Sequence, residues 1–201
     1  MIRVMVAEDM RILRDTLVAL LGLENDLEVV AQVGSGDRIL PEALEHQPDV
    51  AVLDIGLPAV DGLTAAAELH RRLPACRVLI LTALGRPGHV RRAIAAHVSG
   101  FLCKDVPSRE LVAAVRQVAT GGRVFDPELA VAALETADNP LSGREAEVLK
   151  RHAVGQSAAE IAAELCLSHG TVRNYLAAAV TKLGARNRVD AARIACDAGW
   201  L

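Results

Sequence analysis

Aromatic side chains are almost missing from this 201-residue chain: two Phe, one Tyr and one Trp make up 2% of it. That excludes a single-strand nucleic-acid binder built on stacking platforms and leaves aliphatic packing to carry stability. Long apolar runs are missing as well. Runs such as Val78–Leu81 and Val50–Leu53 fall far short of the ~20 residues that a membrane-spanning helix needs, so no direct membrane insertion is expected. Met1-Ile-Arg-Val opens without the basic region, apolar core and small-residue cleavage site of a signal peptide; the expected setting is the cytoplasm. Cys76, Cys103, Cys166 and Cys196 show neither CxxC nor Cys/His metal spacing and read as small buried hydrophobes. Strong charge is absent too. The net charge is −3, with 14 Lys+Arg against 18 Asp+Glu in residues 1–137 and 8 against 7 in residues 138–201. A near-neutral back half does not exclude DNA, which asks only for a local basic face. Apolar residues are plentiful at 52%, too many for a disordered chain. On a prior of ~100–200 residues per domain, one large or two small domains fit this length.

The two halves differ in periodicity. Up to about residue 120, β-type runs at Arg3–Ala7, Glu28–Val33, Val50–Asp54, Val78–Thr82 and Gly100–Cys103 alternate with helical stretches. The helical stretches are Arg11–Leu21, Leu63–Arg72, His89–Ala96 and Arg109–Thr120, the last capped by Ser108. Runs such as Val50-Ala-Val-Leu are apolar on both faces, as parallel strands covered by helices on two sides require. A five-stranded, doubly wound parallel α/β sheet is expected for residues 1–120. Residues 121–138, opening on Gly121-Gly122 and holding an Ala-rich piece at Glu128–Glu135, read as a linker. Residues 139–201 show helical patterning only: four helices, two of them announced by the capping boxes Ser142-Gly-Arg-Glu145 and Ser157-Ala-Ala-Glu160.

In such a sheet, ligands gather at the carboxyl ends of the strands. There the first strand ends in Glu8-Asp9, the third in Asp54, the fourth in Thr82 and the fifth in Lys104. Carboxylates brought together raise one another's pKa unless a cation neutralises them, and a hard divalent ion such as Mg²⁺ suits oxygen ligands and phosphoryl groups. Asp54 could then act as a carboxylate nucleophile that accepts a phosphoryl group, with Lys104 and Thr82 holding the new oxygens. Singly, each residue has a plainer reading as a solvated or capping strand end. Their joint placement is what points to chemistry.

Glu8-Asp9, Asp54-Ile-Gly-Leu-Pro58, Asp61-Gly62, Thr82-Ala83 and Lys104 resemble the receiver domain of two-component response regulators, a flavodoxin-like fold. The resemblance implies phosphorylation of Asp54 by a sensor histidine kinase and a Mg²⁺ held by Glu8, Asp9, Asp54 and the carbonyl of Gly56. It also implies a switch through Thr82 and Phe101. Asp105 follows the lysine where many receivers have proline. The residues two beyond Asp54 and two beyond Thr82 are Gly56 and Leu84. Neither can orient a hydrolytic water, so a slowly lost acyl phosphate is predicted.

In the back half, Ala158–Leu165, a turn at Cys166-Leu167-Ser168, and His169–Leu183 read as a helix-turn-helix. Val172, Leu176, Val180 and Leu183 form the buried stripe, leaving Thr171, Arg173, Asn174, Ala177, Thr181 and Lys182 outward. Arg pairs with guanine and Asn with adenine in the major groove. A plain helical interaction module has the same periodicity. Leu141-Ser-Gly-Arg-Glu145, Glu160-Ile161-Ala162, Thr171-Val172-Arg173-Asn174 and Lys182-Leu183-Gly184 resemble the LuxR-type DNA-binding domain, so that the whole chain is similar to a NarL/FixJ-type response regulator. The resemblance implies promoter double-stranded DNA as partner, with Ser168, Thr171, Arg173, Asn174 and Lys182 as contacts. Tyr175 replaces the usual histidine. Val172-Arg-Asn-Tyr-Leu176 and the terminal Gly199-Trp200-Leu201 resemble the DesR-like branch, whose members answer membrane-associated sensor kinases.

The last helix, Arg188–Ala198, carries two apolar stripes. One of them, Ala191, Ile194, Ala195 and Ala198, is expected at the interface of a homodimer formed on phosphorylation, its symmetry matching two DNA half-sites. Two rivals stay open. A Mg²⁺-dependent phosphohydrolase would want a second acid near Asp54, where Gly56 stands, and the helical output could bind RNA or protein.

Overall fold

In the computed structural model, residues 1–83, 85, 87–127, 130–131 and 139–201 are described. The chain divides into two units, Met1–Gly85 with Val90–Ala130 and Arg86–His89 with Val131–Leu201.

The first unit is a five-stranded sheet of β1 (Ile2–Ala7), β2 (Leu27–Val33), β3 (Val50–Leu53), β4 (Arg77–Thr82) and β5 (Gly100–Cys103) in the order β2-β1-β3-β4-β5. Every neighbouring pair is parallel. Around it run α1 (Arg11–Gly22), α2 (Ile39–His46), α3 (Gly62–Arg72), α4 (Pro87–Ala95) and α5 (Ser108–Ala119). All four residues of β3 are buried. Val50 and Val52 join Leu17, Leu21, Leu111 and Val115 in one cluster on one face, while Ala51 and Leu53, turned to the other face by the period of two, are equally inaccessible. Each fully buried Val or Leu contributes about 1.5–3 kcal/mol, so this central strand fixes the register of the sheet.

Three local expectations change. Ser108 is the first helical residue of α5 rather than its cap; Pro107 precedes it and offers no side-chain hydrogen bond. The helix α2 interrupts a stretch that the sequence pattern leaves unassigned. Residues 121–127, expected in a linker, begin against the sheet: Val124 accepts from the Phe101 N–H at 2.7 Å and donates to the Ser99 carbonyl at 3.0 Å, a parallel bridge beside β5. Apart from Ala130 and Val131, the piece Glu128–Glu135 lies outside the described residues.

The second unit contains α6 (Gly143–Ala153), α7 (Ala158–Glu164), α8 (His169–Lys182) and α9 (Arg188–Asp197). Both capping boxes form: the N–H groups of Ser142 and Ser157 donate to Glu145 and Glu160, each at 2.7 Å, and the Ser hydroxyls accept in return. Ser168 caps α8 and Asn187 caps α9. The core is Val148, Leu149, Ile161, Val172, Leu176 and Ala179, completed by Ala191 and Ala195. These last two therefore do not form a dimer surface: both are fully buried inside their own unit. Ile194 and Ala198 are half-buried, and the exposed apolar residue of α9 is Val189. Of the cysteines only Cys76 is buried, which pushes its thiol up to about 12; Cys166 is exposed in the turn before α8. Among the described residues no helix is long and apolar enough to cross a membrane.

Candidate functional site

Strand order places β1 beside both β2 and β3, so the connections leaving β1 and β3 turn to opposite sides and open a crevice at their carboxyl ends. Glu8 and Asp9 leave β1 and Asp54 leaves β3 at this crevice, and carboxylate oxygens of the three lie within 4.8 Å of one another. Lys104, next after β5, reaches across: its Nζ donates to Glu8 Oε2 at 2.7 Å and stands 3.2 Å from Asp54 Oδ2. Glu8 is 1% exposed, and its burial raises its carboxyl pKa even though Lys104 pulls it down. Burial acts to lower Lys104, but the Glu8 and Asp54 carboxylates hold its ammonium above the ordinary value. The pocket is thus short of positive charge.

The backbone holds the Asp54 carboxylate in place. The Asp54 N–H donates to the Ala7 carbonyl at 2.9 Å, and the Gly62 N–H to the Ile55 carbonyl at 3.0 Å. The chain returns so close beneath Asp54 that a Cβ at position 62 would meet the Asp54 carbonyl oxygen at 1.9 Å, which only glycine avoids. Asp61, just before it, caps α3 through the Leu63 and Thr64 N–H groups and pairs with Arg92 of α4 at 2.9 Å. Burial works against its ionised form, yet the Thr64 hydrogen bonds and Arg92 hold it below the usual carboxylate range. Gly56 is exposed beside Asp54, where a Cβ would stand 3.5 Å from Oδ2. Thr82 and Phe101 are buried, at 4% and 2% exposure, at the end of β4 and in β5. Leu84 lies outside the described residues.

In the second unit, α8 leaves Arg173 and Asn174 exposed within its first two turns. Ser168 and Thr171 are tied together there: the Thr171 N–H donates to Ser168 Oγ at 3.0 Å and the two hydroxyls stand 2.8 Å apart. At the other end of the helix, Lys182 donates to Glu145 Oε2 at 2.7 Å.

Residues 4–116 match the family described as response regulator receiver domain, and residues 139–195 the luxR family of bacterial regulatory proteins. Transcriptional regulatory protein DesR of Bacillus subtilis is 43% identical over 200 residues, covering 100% of this chain and 99% of its own. The uncharacterized transcriptional regulatory protein YvfU of the same organism is 42% identical over 201 residues, covering both chains fully. The chain belongs to the two-component response regulators. Among solved structures, response regulator ChrA of a heme-sensing two-component system covers 97% of this regulator and 96% of its own chain at 34% identity and TM-score 0.58. A structure of RcsB, with two dimers bound to two parallel DNAs, is alike in fold at TM-score 0.65 and 21% identity, covering 98% of each chain. In this regulator the DesR-like reading of Val172–Leu176 and Gly199-Trp200-Leu201 accords with that relative's identity.

The regulator's Glu145 was legible from sequence only as a capping-box residue. In the structure its carboxylate, 6% exposed, also receives Lys182, and the Lys182 and Ser142 hydrogen bonds hold it below the usual range. A lowered folded pKa means that its contribution is present above the ordinary carboxylate pKa and lost as pH falls through the folded one. Glu145→Gln keeps the capping hydrogen bond but loses the negative charge facing Lys182 and the helix N-terminus, and is therefore expected to cost about 0.5–1 kcal/mol at neutral pH. The difference from wild type should shrink below pH ~4.3. Urea unfolding of both proteins between neutral pH and about pH 3 checks this; a difference independent of pH would remove the carboxylate's role.

Proposed function

We propose that residues 1–120 form a receiver phosphorylated on Asp54 by a sensor histidine kinase, and that residues 139–201 then bind promoter double-stranded DNA as part of a homodimer. The observation that carries this reading is the crevice in which Glu8, Asp9 and Asp54 converge while Lys104 bridges Glu8 and Asp54. Three clustered carboxylates with one ammonium suit a hard divalent cation. Glu8, Asp9, Asp54 and the Gly56 carbonyl would hold Mg²⁺, which when bound supplies positive charge for the carboxylates and for incoming phosphoryl oxygens. An Asp54 carboxylate oxygen forms the new bond to phosphorus as the bond from phosphorus to the kinase histidine nitrogen breaks. Lys104, already within reach of Asp54, then holds a phosphoryl oxygen, and Thr82 at the end of the neighbouring strand supplies a hydroxyl.

Gly56, exposed and without a side chain beside Asp54, favours a stored acyl phosphate over turnover by a phosphohydrolase, which would place an acid there. Thr82 and Phe101 would carry the change of state as a two-state element biased by the phosphate. At the DNA, Arg173 and Asn174 would read base edges, with Ser168 and Thr171 at the entry of the helix. A cytoplasmic setting accords with the family.

Acetyl phosphate with Mg²⁺, followed by intact mass, light scattering and duplex-DNA gel shift, tests the reading. A gain of one phosphate accompanied by dimer growth and tighter DNA binding is expected. No phosphate uptake, or uptake with no change in assembly or DNA affinity, would overturn it.

A further inference from the structure

Ion pairing in the second unit sorts its cations into two groups. Between residues 139 and 201, Arg144, Arg151, Lys182, Arg186 and Arg193 are each held by a carboxylate. Among the described residues there, only Lys150, Arg173 and Arg188 carry positive charge with no acidic partner. Two of these three, Arg173 and Arg188, border one open groove, whose remaining lining is Leu176, Ala177, Val180 and Thr181 of α8. Lys150 borders a different one, with Glu147 and Arg151.

The position of Arg188 is unfavourable for folding alone. It is the first residue of α9, where the helix dipole repels a cation. Asp190, two residues on, cannot offset it, because Arg186 at 3.2 Å and Arg193 at 2.9 Å already hold that carboxylate. The groove that Arg173 and Arg188 line also carries the small side chains of Ala177 and Thr181, which suit the close approach of a sugar-phosphate strand. We infer that Arg188 is a phosphate anchor for the duplex strand running along α8, beside the DNA contact that the resemblance implies for Lys182. Lys182 is occupied by Glu145; Arg188 is not occupied. This rests on the DNA-binding reading above. It adds the residue that sets the orientation of α8 in the groove, since phosphate contacts position while base contacts specify.

The test uses the full chain treated with acetyl phosphate and Mg²⁺, a fluorescent mixed-sequence duplex, and affinity measured across a salt series. Arg188→Ala should lower the slope of log K against log[salt] by about one. Lys150→Ala, which removes the same charge from outside the groove, should leave the slope as in wild type. Thermal unfolding of Arg188→Ala should occur at or above the wild-type temperature, separating lost contact from lost fold. Equal slopes for Arg188→Ala and wild type, or equal losses for Arg188→Ala and Lys150→Ala, would overturn the anchor while leaving DNA binding intact. A wild-type chain that binds no duplex would overturn the DNA reading itself, and the anchor with it.

Discussion

Asp54→Asn is expected to take up no phosphate from acetyl phosphate in Mg²⁺ and to hold a flat DNA affinity under conditions where wild type gains about 5–150-fold, the usual span of a coupling free energy. Asn keeps the volume of Asp and leaves untouched the backbone bond from residue 54 to the Ala7 carbonyl, so the fold should persist. Lys104 retains Glu8 as a partner at 2.7 Å. What disappears is the anionic oxygen that attacks phosphorus in the proposed reaction. Intact mass decides the first half of the prediction and gel shift the second. Retention of one phosphate by the variant would move the acceptor elsewhere, with the neighbouring carboxylate of Asp9 the first place to look. In wild type the acyl phosphate should persist for many minutes, because exposed Gly56 offers no group to aim a water; decay within seconds would remove that argument.

The strands and the acidic crevice were legible in the sequence because both follow from one-dimensional rules. Fully buried parallel strands must be continuous apolar runs, and the residue after each run must lie at the carboxyl edge. Other features needed three dimensions. The helix α2 is hidden by Pro41, whose ring would break a helix interior, yet it falls in the first turn, where its missing N–H has no intrahelical partner to lose. The two stripes of α9 are built largely from alanine, and side chains so alike leave the choice of buried face to packing against α6 and α8. That choice took Ala191 and Ala195 into the core. The pairing of Lys182 with Glu145 joins residues 37 apart, beyond any local pattern. Arg188 was legible only as the start of the last helix; that it has no acidic partner became visible once Arg144, Arg151, Lys182, Arg186 and Arg193 were seen to be paired.

Lys104→Met should destabilise the first unit by about 3 kcal/mol in EDTA, the lower part of the range for removing one partner of a buried ion pair. The lower part applies because the crevice is partly open: the side chains of Lys104 and Asp54 are 17% and 12% exposed. Glu8, at 1%, dominates the loss. With the ammonium gone, a buried carboxylate and two neighbouring ones face each other with no cation between them. Two consequences separate this account from simple loss of packing. Adding Mg²⁺ should recover more stability in Lys104→Met than in wild type, since a ligand that binds only the folded state stabilises it more the tighter it binds and the variant has the larger unmet charge. Adding Glu8→Gln to Lys104→Met should also restore part of the loss by removing the orphaned anion, a coupling that a double-mutant cycle measures. Urea midpoints for the four proteins, each with EDTA and with Mg²⁺, decide it. If Lys104→Met unfolds at the wild-type midpoint in EDTA, or if the two substitutions simply add, the lysine is not what neutralises the crevice, and its role would reduce to holding the phosphoryl oxygen once Asp54 has accepted it.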